Sequence, residues 1–351
     1  MDLNLTTKLK TGPWKLTDLE DVPKNGFKVF SCFHCGGGSS LGYKLSGFDV
    51  LGGVEIDKEM SKLYVKNHNP KYEYLMGVQE FKKLDDLPSE LYNLDILDGS
   101  PPCSSFSKEG NREKDWGKQK KFKEGQAKQV LDDLFFDYID IAHKLQPKIV
   151  VAENVKGLIE GKAKGYVKQI FQRLNHAGYD CQLFLLNACR MGVPQMRERV
   201  FFIARRKDLG LPKIKLDFNE KLIPVSTIVD ENPKTSGKLT DLQRQIWDWC
   251  DKNNEYCGGK ACYALFGKRK AFSYKKMQAY RPSLTLTSER DKLMHWDYPR
   301  RLSDYEIKMI SSFPLDYDFG GKVGYACGMS VPPFMMNRIS NQIYEQWLKE
   351  G

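Results

Sequence analysis

The first half of the chain alternates short apolar runs with a segment of helical periodicity. Apolar runs at residues 28–33, 48–56 and 94–97 predict three β-strands. Between residues 127 and 145, apolar side chains recur every three or four positions, which predicts an amphipathic helix that ends before Pro147. A strand at 148–152, a helix at 166–176 and strands at 181–186 and 200–204 follow. This alternation predicts an α/β domain with a mostly parallel sheet, whose ligands lie at the carboxyl ends of the strands.

The pattern loosens after residue 206. Periodicity weakens there, and residues 232–237 are typical of a loop. Helix-like runs return at 303–312 and 333–348. We therefore predict a first domain over residues 24–205, a smaller domain over 206–300, and a C-terminal segment, 301–351, that returns to complete the first domain.

A glycine cluster, GGGSSLG, follows the first predicted strand, and the second strand ends at Glu55. Glycines let a backbone approach a ligand closely, and a carboxylate at the end of the next strand can accept hydrogen bonds from ribose hydroxyls. The spacing is not the G-x-G-x-x-G of dinucleotide sites. The unit therefore predicts an adenosine-containing cofactor without naming it, and a tight turn that closes a helix onto its strand remains the alternative.

The third strand leads into GSPPCSSFS, which presents Cys103 behind two prolines. Glu153 stands at the end of a later predicted strand. If these strands are neighbours, a thiol and a carboxyl group converge on one cleft. A thiolate can add to an electrophilic carbon, and a carboxyl group can stabilise the protonated form of the attacked ring. The alternative is that Cys103 is a small buried hydrophobic residue.

Composition limits the protein classes. The 351 residues are 41% hydrophobic and 28% charged, as in soluble globular proteins, and contain no apolar run of membrane-spanning length. The first residues lack the apolar region of a secretory signal, so we expect a cytoplasmic protein. Nine cysteines without regular spacing predict reduced thiols. Cys250, Cys257 and Cys262 are too irregularly spaced to predict a metal site, and we expect none.

Positive charge is concentrated in one part of the chain. The formal net charge is +10, and most of the excess lies between residues 206 and 281, with no acidic residue from 260 to 288. Aromatic side chains are interleaved with these basic residues. Such a mixture can neutralise phosphates and stack on bases, although a solvated basic face is the alternative. The candidate DNA-binding residues are Lys268, Arg269, Lys270, Lys275, Lys276 and Arg281.

Four motifs occur together in one order: Pro102-Cys103, Glu153-Asn154-Val155, the QMRER run at 195–199 and the GMSVPP run at 328–333. In this combination the chain resembles the DNA (cytosine-5) methyltransferases from about residue 30 to residue 340, except in the variable segment before Arg281. The resemblance implies a Rossmann-like S-adenosylmethionine-dependent methyltransferase domain. It also implies that the smaller domain is a variable target-recognition domain.

The family mechanism, carried onto this chain, assigns four catalytic residues. The Cys103 thiolate attacks C6 of a cytosine flipped out of the duplex, which makes C5 reactive toward the methyl group of S-adenosylmethionine. Glu153 pairs with the cytosine edge and assists protonation at N3. Arg199 reaches the base, and Arg197 supports the site of the thiol. The product is S-adenosylhomocysteine.

The resemblance also places the cofactor contacts. They are Phe33, Gly36, Gly37, Gly38, Glu55, Ile56, Val78, Pro102, Leu134 and Ser330. Three departures from the family pattern all lie on this side of the site. Cys35 replaces the first glycine of F-x-G-x-G-G, Met329 replaces an asparagine, and no aspartate stands near residues 76–78. The lysine-rich stretch 108–128 resembles the loop that closes over DNA.

The resulting hypothesis is a sequence-specific DNA cytosine-C5 methyltransferase of a bacterium or a phage-infected cell. We expect a monomer that binds double-stranded DNA, with a cognate restriction endonuclease as a separate partner. An RNA cytosine-5 methyltransferase and a catalytically silent DNA-binding relative are the alternatives. The separate basic segment favours duplex DNA, because reading base edges requires an added module. The presence of all four catalytic residues argues against a silent relative.

Overall fold

The computed structural model describes residues 12–102, 119–120, 129–130, 133–160, 164–228, 230–268 and 274–349. Cys103, Arg269 and Lys270 lie outside the described residues, as does most of the lysine-rich stretch 108–128. The chain divides into two compact units. The sheet unit comprises Leu19–Asn187, Glu198–Asp217 and Met336–Gly351, and the second unit comprises Met1–Asp18, Ala188–Arg197 and Phe218–Met335.

The sheet unit is built on a seven-stranded sheet. In chain order the strands of the protein begin with β1 (Lys28–Cys32), β2 (Asp49–Glu55), β3 (Tyr72–Leu75), β4 (Ile96–Gly99), the short pair β5 (Gln119–Lys120) and β6 (Gln129–Val130), β7 (Ile149–Val155), β8 (Tyr179–Asn187) and β9 (Glu198–Arg206). The sheet order is β3-β2-β1-β4-β7-β9-β8. The first five strands in this order are parallel, and β9 is antiparallel to both of its neighbours. The predicted α/β fold with a mostly parallel sheet is confirmed.

Helices connect the parallel strands, as parallel pairing requires. They are α1 (Gly38–Leu45), α2 (Lys58–His68), the single turn α3 (Val78–Phe81), α4 (Leu134–Leu145) and α5 (Lys164–His176). The central strands are buried on both faces, and the side chains of one face form a core with α4 and α5. In the described residues, no helix is long and apolar enough to cross a membrane.

Helix α4 shows where periodicity predicts correctly and where it fails. Its apolar positions face the core as the pattern predicts, and it ends at Leu145, followed by the cap residue Gln146, whose left-handed backbone (φ 50°) precedes Pro147. The predicted start was wrong, because Gln129–Val130 pairs with Gln119–Lys120 as an antiparallel ladder. Backbone pairing with a neighbouring segment therefore overrides the helical pattern at this point.

The second unit contains α6 (Asp241–Lys252), α7 (Gly258–Phe266), β10 (Lys275–Lys276), β11 (Leu293–Met294), α8 (Asp304–Ile310) and α9 (Val323–Met329). The C-terminal helix α10 (Pro333–Ile343) ends in a π-helical turn, Tyr344–Leu348. Thr240 caps α6 in a capping box with Gln243. A small core of Ile246, Trp247 and their neighbours lies between α6 and α7. The loose hydrophobic pattern of this segment did not predict these two helices.

A tyrosine on α4 locks the centre of the sheet. The hydroxyl of Tyr138 lies 2.8 Å from the carbonyl oxygens of both Leu97 and Val151, so it bridges β4 and β7. Gly99 ends β4 directly under this ring, and a Cβ atom at Gly99 would lie 2.5 Å from Cε2 of Tyr138. A glycine is therefore required at the last position of β4 by packing rather than by its backbone angles.

We predict that Gly99→Ala lowers the free energy of unfolding by about 1–3 kcal/mol, because the Tyr138 ring must move away from its two carbonyl partners. Urea denaturation measures the change. Gly165→Ala is the matched control, because a Cβ atom there meets no neighbour within 4 Å and α5 should tolerate it. Equal stability of the two variants would contradict the packing argument.

Candidate active site

Functional candidates gather at one edge of the sheet. The carboxyl ends of parallel strands lie at the same edge, where open α/β sheets bind ligands. Here that edge carries the glycine loop after β1, Glu55 at the end of β2, the Gly99–Pro102 turn after β4 and Glu153 near the end of β7. The predicted convergence of these segments is present within the sheet unit.

The glycine loop follows an unusual backbone path. Phe33 (φ 57°), Cys35 (φ 46°) and Gly37 (φ 69°) all adopt left-handed conformations. For a residue with a side chain this costs roughly 1–2 kcal/mol, which is the physical reason that glycine suits the position of Cys35. With Cys35 in place of a glycine, the loop keeps the turn and stores this strain.

Glu55 is fixed by the loop itself. Its Oε2 accepts the backbone N–H of Cys35 at 2.9 Å, and its Oε1 accepts the N–H of Asp57 at 2.9 Å. The side chain is buried. Each carboxylate oxygen has two lone pairs, so each can still accept a hydroxyl. An acid held in this way suits the two hydroxyls of a ribose.

Three stacked aromatic rings, one of them from His34 in the loop, connect the loop to α2. The ring centroids of His34 and Tyr64 are 3.8 Å apart, and those of Tyr64 and His68 are 4.2 Å apart. Burial is the main cause that lowers the pKa of His68 well below its usual value, so its ring is neutral at neutral pH. A Cβ atom at Gly37 would lie 2.2 Å from Nε2 of His68. The stack therefore fixes Gly37 by packing as well as by backbone conformation.

The other predicted cofactor residues differ in their surroundings. Ile56 is half-buried, and the side chains of Val78 and Leu134 lie within the core of the sheet unit. In the second unit, the buried hydroxyl of Ser330 has no hydrogen-bond partner among the described residues, whereas Met329 is 48% exposed. An orphaned hydroxyl is consistent with a ligand contact, and the cofactor roles of all these residues stay predictions.

Asn154 holds the turn that precedes Cys103. Its Nδ2 donates to the carbonyl oxygen of Pro101 at 2.9 Å, and its Oδ1 accepts the N–H of Val155 at 2.9 Å. The N–H of Ser100 also donates to the Cys32 carbonyl oxygen at 3.3 Å. Asn154 belongs to the Glu153-Asn154-Val155 motif, but its position in the sequence predicted no role of its own. An amide directly after an acid at a strand end was the only signal available.

Two predicted catalytic residues form an ion pair. Nε of Arg199 lies 3.0 Å from Oε1 of Glu153, and both side chains are largely buried. Glu153 pairs with Phe201 across β7 and β9 and Val155 pairs with Arg199, so the two charged residues are diagonal neighbours on one face. Burial lowers the pKa of Arg199, and the Glu153 carboxylate opposes this shift. The pair presents a carboxylate and a guanidinium side by side at the edge of the sheet.

Arg197 lies in the second unit and contacts backbone there. Its Nη1 donates to the carbonyl oxygen of Leu286 at 3.0 Å, and the side chain is 2% exposed. Gln195 accepts the N–H of Leu286 at 3.1 Å and donates to the carbonyl oxygen of Ile310 at 3.1 Å. Alternate residues of the QMRER run therefore hold the segment around Leu286. The predicted role of Arg197 beside the thiol stays a prediction.

The predicted DNA-binding residues that are described lie in the second unit and are not equivalent. Lys268 and Arg281 are exposed. Lys276 pairs with Asp251 at 2.8 Å and lies 4.8 Å from the centroid of Trp247, which leaves it 13% exposed. Lys275 is half-buried. Lys268 and Arg281 are thus the most exposed of the predicted DNA-binding cations that the structure describes.

Exposed aromatic side chains accompany these cations. Tyr263 is 61% exposed, Phe266 47% and Tyr280 65%. Tyr263 and Phe266 are three residues apart on α7 and therefore share a face. Within the described ranges, no group of three His, Cys, Asp or Glu side chains could hold a metal ion.

Comparison with known proteins identifies relatives of this chain. It is 35% identical over 231 residues to the Type II methyltransferase M.NgoPII of Neisseria gonorrhoeae, covering 65% of this chain and 58% of that protein. It is 31% identical over 333 residues to the Type II methyltransferase M.Sau96I of Staphylococcus aureus, covering 88% of this chain and 73% of that protein. The chain thus spans less than two thirds of M.NgoPII but most of M.Sau96I.

Solved structures share the fold. A candidate DNA modification methyltransferase encoded within an E. coli prophage superimposes with a TM-score of 0.66 at 21% identity, covering 92% of this chain and 99% of that one. A mutant of Spodoptera frugiperda DNMT2 superimposes with a TM-score of 0.63 at 16% identity, covering 91% and 100%. The family model described as C-5 cytosine-specific DNA methylase matches residues 27–345. This chain therefore belongs to the C-5 cytosine-specific DNA methylase family.

Proposed function

We propose that this protein transfers a methyl group from S-adenosylmethionine to C5 of cytosine in duplex DNA, at a specific sequence. The observation that carries the proposal is the Glu153–Arg199 ion pair at the sheet edge. Asn154, the residue after Glu153, holds the turn that precedes Cys103. The family contains proteins named Type II methyltransferases, which supports DNA as the substrate.

Glu153 and Arg199 recognise and activate the base. The two groups are already hydrogen-bonded and nearly buried, so little reorganisation is needed when a flipped cytosine meets them. The Glu153 carboxyl pairs with the base edge and assists protonation at N3. The Arg199 guanidinium contacts the base and compensates the charge of Glu153.

Cys103 performs the covalent step. Its thiolate forms a bond to C6, the electron pair of the C5–C6 double bond moves to C5, and N3 takes up a proton. C5 then forms a bond to the methyl carbon while the bond between that carbon and the donor sulfur breaks, and the electron pair of the broken bond stays on the sulfur. Loss of the C5 proton to solvent lets the C5–C6 double bond form again, which breaks the bond between the Cys103 sulfur and C6 and frees the thiolate, and N3 gives up the proton that it had taken. Asn154 positions this thiol by holding Pro101.

The chain offers residues that fit the cofactor. The cofactor would supply an electrophilic methyl group on a sulfonium centre. Glu55 would accept hydrogen bonds from the ribose hydroxyls, because two backbone N–H groups orient it and leave lone pairs free. The glycine loop from Phe33 to Gly38 would approach the methionine part closely. The orphaned hydroxyl of Ser330 is a further candidate contact.

The segment over residues 206–300 supplies target recognition in this proposal. The exposed cations Lys268 and Arg281 would contact phosphates, and the exposed rings of Tyr263 and Phe266 would stack on or wedge between bases. A monomer acting on one duplex, and a separate cognate restriction endonuclease in the same bacterial cytoplasm, complete the proposal.

We predict that Cys103→Ser lowers methylation of duplex DNA by roughly a thousandfold or more, because a serine hydroxyl is a far weaker nucleophile than a thiolate. The assay measures transfer of labelled methyl groups to duplex DNA and, in parallel, to RNA. Cys181→Ser is the matched control, since Cys181 lies half-buried in β8. Label only in RNA would favour the RNA alternative, and no label with the unmodified protein would favour a silent relative.

Asn154→Ala should lower the single-turnover rate of methylation by about tenfold, with the affinity for DNA nearly unchanged. Losing a buried hydrogen bond costs about 1–3 kcal/mol, and here the cost falls on the position of Cys103. Asn93→Ala removes a comparable amide-to-carbonyl bond, at 3.0 Å, in an exposed turn and should leave the rate unchanged. If both variants react at the rate of the unmodified protein, Asn154 does not position Cys103.

Replacing Lys268 and Arg281 together with alanine should weaken DNA binding and make its dependence on salt shallower. Log affinity falls with log salt concentration, and each lost phosphate contact reduces the magnitude of this negative slope by roughly 0.9. Fluorescence anisotropy over a range of salt concentrations gives this slope. Lys58→Ala combined with Lys62→Ala, both on the exposed surface of α2, is the charge-matched control. An unchanged slope in the double variant would exclude this surface as a DNA contact.

A further inference from the structure

Asp98 is a buried carboxyl group that the proposed reaction does not use. It is the second-last residue of β4, is 2% exposed and interrupts an otherwise apolar strand. Its Oδ2 accepts hydroxyl hydrogens from Ser31 and Ser39, each at 2.8 Å, and its Oδ1 accepts the Tyr43 hydroxyl at 3.3 Å. Central parallel strands normally carry apolar residues at such positions, so this acid requires an explanation.

The position of Asp98 links it to both halves of the site. Ser31 pairs with Asp98 across β1 and β4, and β1 leads directly into the glycine loop. Ser39 lies in the first turn of α1, at the other end of that loop. On its own strand, Asp98 is followed by Gly99 and the turn that leads to Cys103. The carboxylate therefore lies between the two ends of the loop and the strand of the catalytic turn.

The three hydrogen-bond donors to Asp98 are neutral hydroxyl groups. They orient the carboxylate without cancelling its charge, in contrast to Arg199 beside Glu153. In an interior of low dielectric constant, such a charge acts over a longer distance than it would in water. A cation bound at the neighbouring loop would feel this field.

We propose that Asp98 is a specificity-determining residue, whose negative charge makes the site prefer the cationic sulfonium donor over its neutral thioether product. This inference rests on the proposed function, since it assumes that the glycine loop holds the methionine part of the cofactor. The donor and the product share the same adenosine, amino and carboxylate groups, so they differ only in the methyl group and in the positive charge that it gives the sulfur. Preferring the donor assists product release after each transfer.

The ionisation of Asp98 makes the inference testable by pH. Burial raises the pKa of Asp98 to about 6, the Glu153 carboxylate adds to this rise, and the three hydroxyl bonds oppose it. Besides Glu153, the titratable groups that interact with Asp98 are Cys32 on β1, Tyr43 on α1, Tyr64 on α2 and Tyr138 on α4. Burial is the main cause that raises the pKa of each of these four groups, so they stay neutral from pH 5 to 8. The preference for the donor should therefore weaken as the pH falls through about 6.

The same charge opposes stability. Because the pKa of Asp98 in the folded protein lies above its usual value of 3.8, its contribution to stability is complete below about pH 4 and is lost as the pH rises through about 6. Asp98→Asn removes the charge and keeps the shape, and serine hydroxyls can accept the hydrogen bonds that the amide donates. This variant should thus melt no lower than the unmodified protein at pH 8.

Isothermal titration calorimetry with S-adenosylmethionine and S-adenosylhomocysteine tests the inference without turnover. At pH 8 we expect Asp98→Asn to lower the ratio of the two affinities, donor over product, by about fivefold. At pH 5 the two proteins should give nearly equal ratios. His34, on the loop, is present in both proteins, so the difference between them isolates Asp98. Asp95→Asn is the matched control, since Asp95 precedes the same strand, accepts the N–H of Lys28 at 2.7 Å and pairs with Lys148 at 2.8 Å.

The outcomes separate this inference from the proposed function. If the unmodified protein binds neither ligand, the proposed cofactor is wrong and the inference falls with it. If it binds both ligands and Asp98→Asn leaves their ratio unchanged at pH 8, the proposed function stands and the inference is wrong. A lower melting temperature of Asp98→Asn with an unchanged ratio would show a purely structural role.

Discussion

Parallel pairing of β1, β2, β4 and β7 determines where the functional groups of the sheet unit lie. Each ladder fixes the register between neighbouring strands, so residues far apart in sequence reach the same edge. That edge carries the glycine loop, Glu55, the Pro101–Pro102 turn and Glu153. Tyr138 holds the two central strands together, and Gly99 is small because Tyr138 occupies the adjacent space.

Hydrogen bonds within the protein organise the site, because buried polar groups must be satisfied. Two backbone N–H groups hold Glu55, Asn154 holds Pro101, and Arg199 holds Glu153. Each bond serves folding and also orients a group for chemistry. Asp98 differs from Glu153, because its donors are neutral hydroxyl groups and its charge is left available to the site.

Apolar patterning predicted six of the seven strands of the sheet to within a few residues, because buried central strands need continuous apolar runs, and it missed the edge strand β3. It failed where other forces decide. The start of α4 was wrong because residues 129–130 pair as a strand, and α6 and α7 were missed because their small core needs few apolar positions. Asn154 and Asp98 carried no periodic signal, since the importance of a buried polar residue depends on its partners.

The sequence by itself determined the class of fold, the glycine turn, the acid that follows it and the motif residues that identify the family. These features are local, because each depends on a few neighbouring residues and their backbone preferences. Only the tertiary structure decided that β9 inserts antiparallel beside β7, which brings Arg199 to Glu153. It also decided that Ser31, Ser39 and Tyr43 converge on Asp98, since strand neighbours and helix contacts follow from packing the whole sheet.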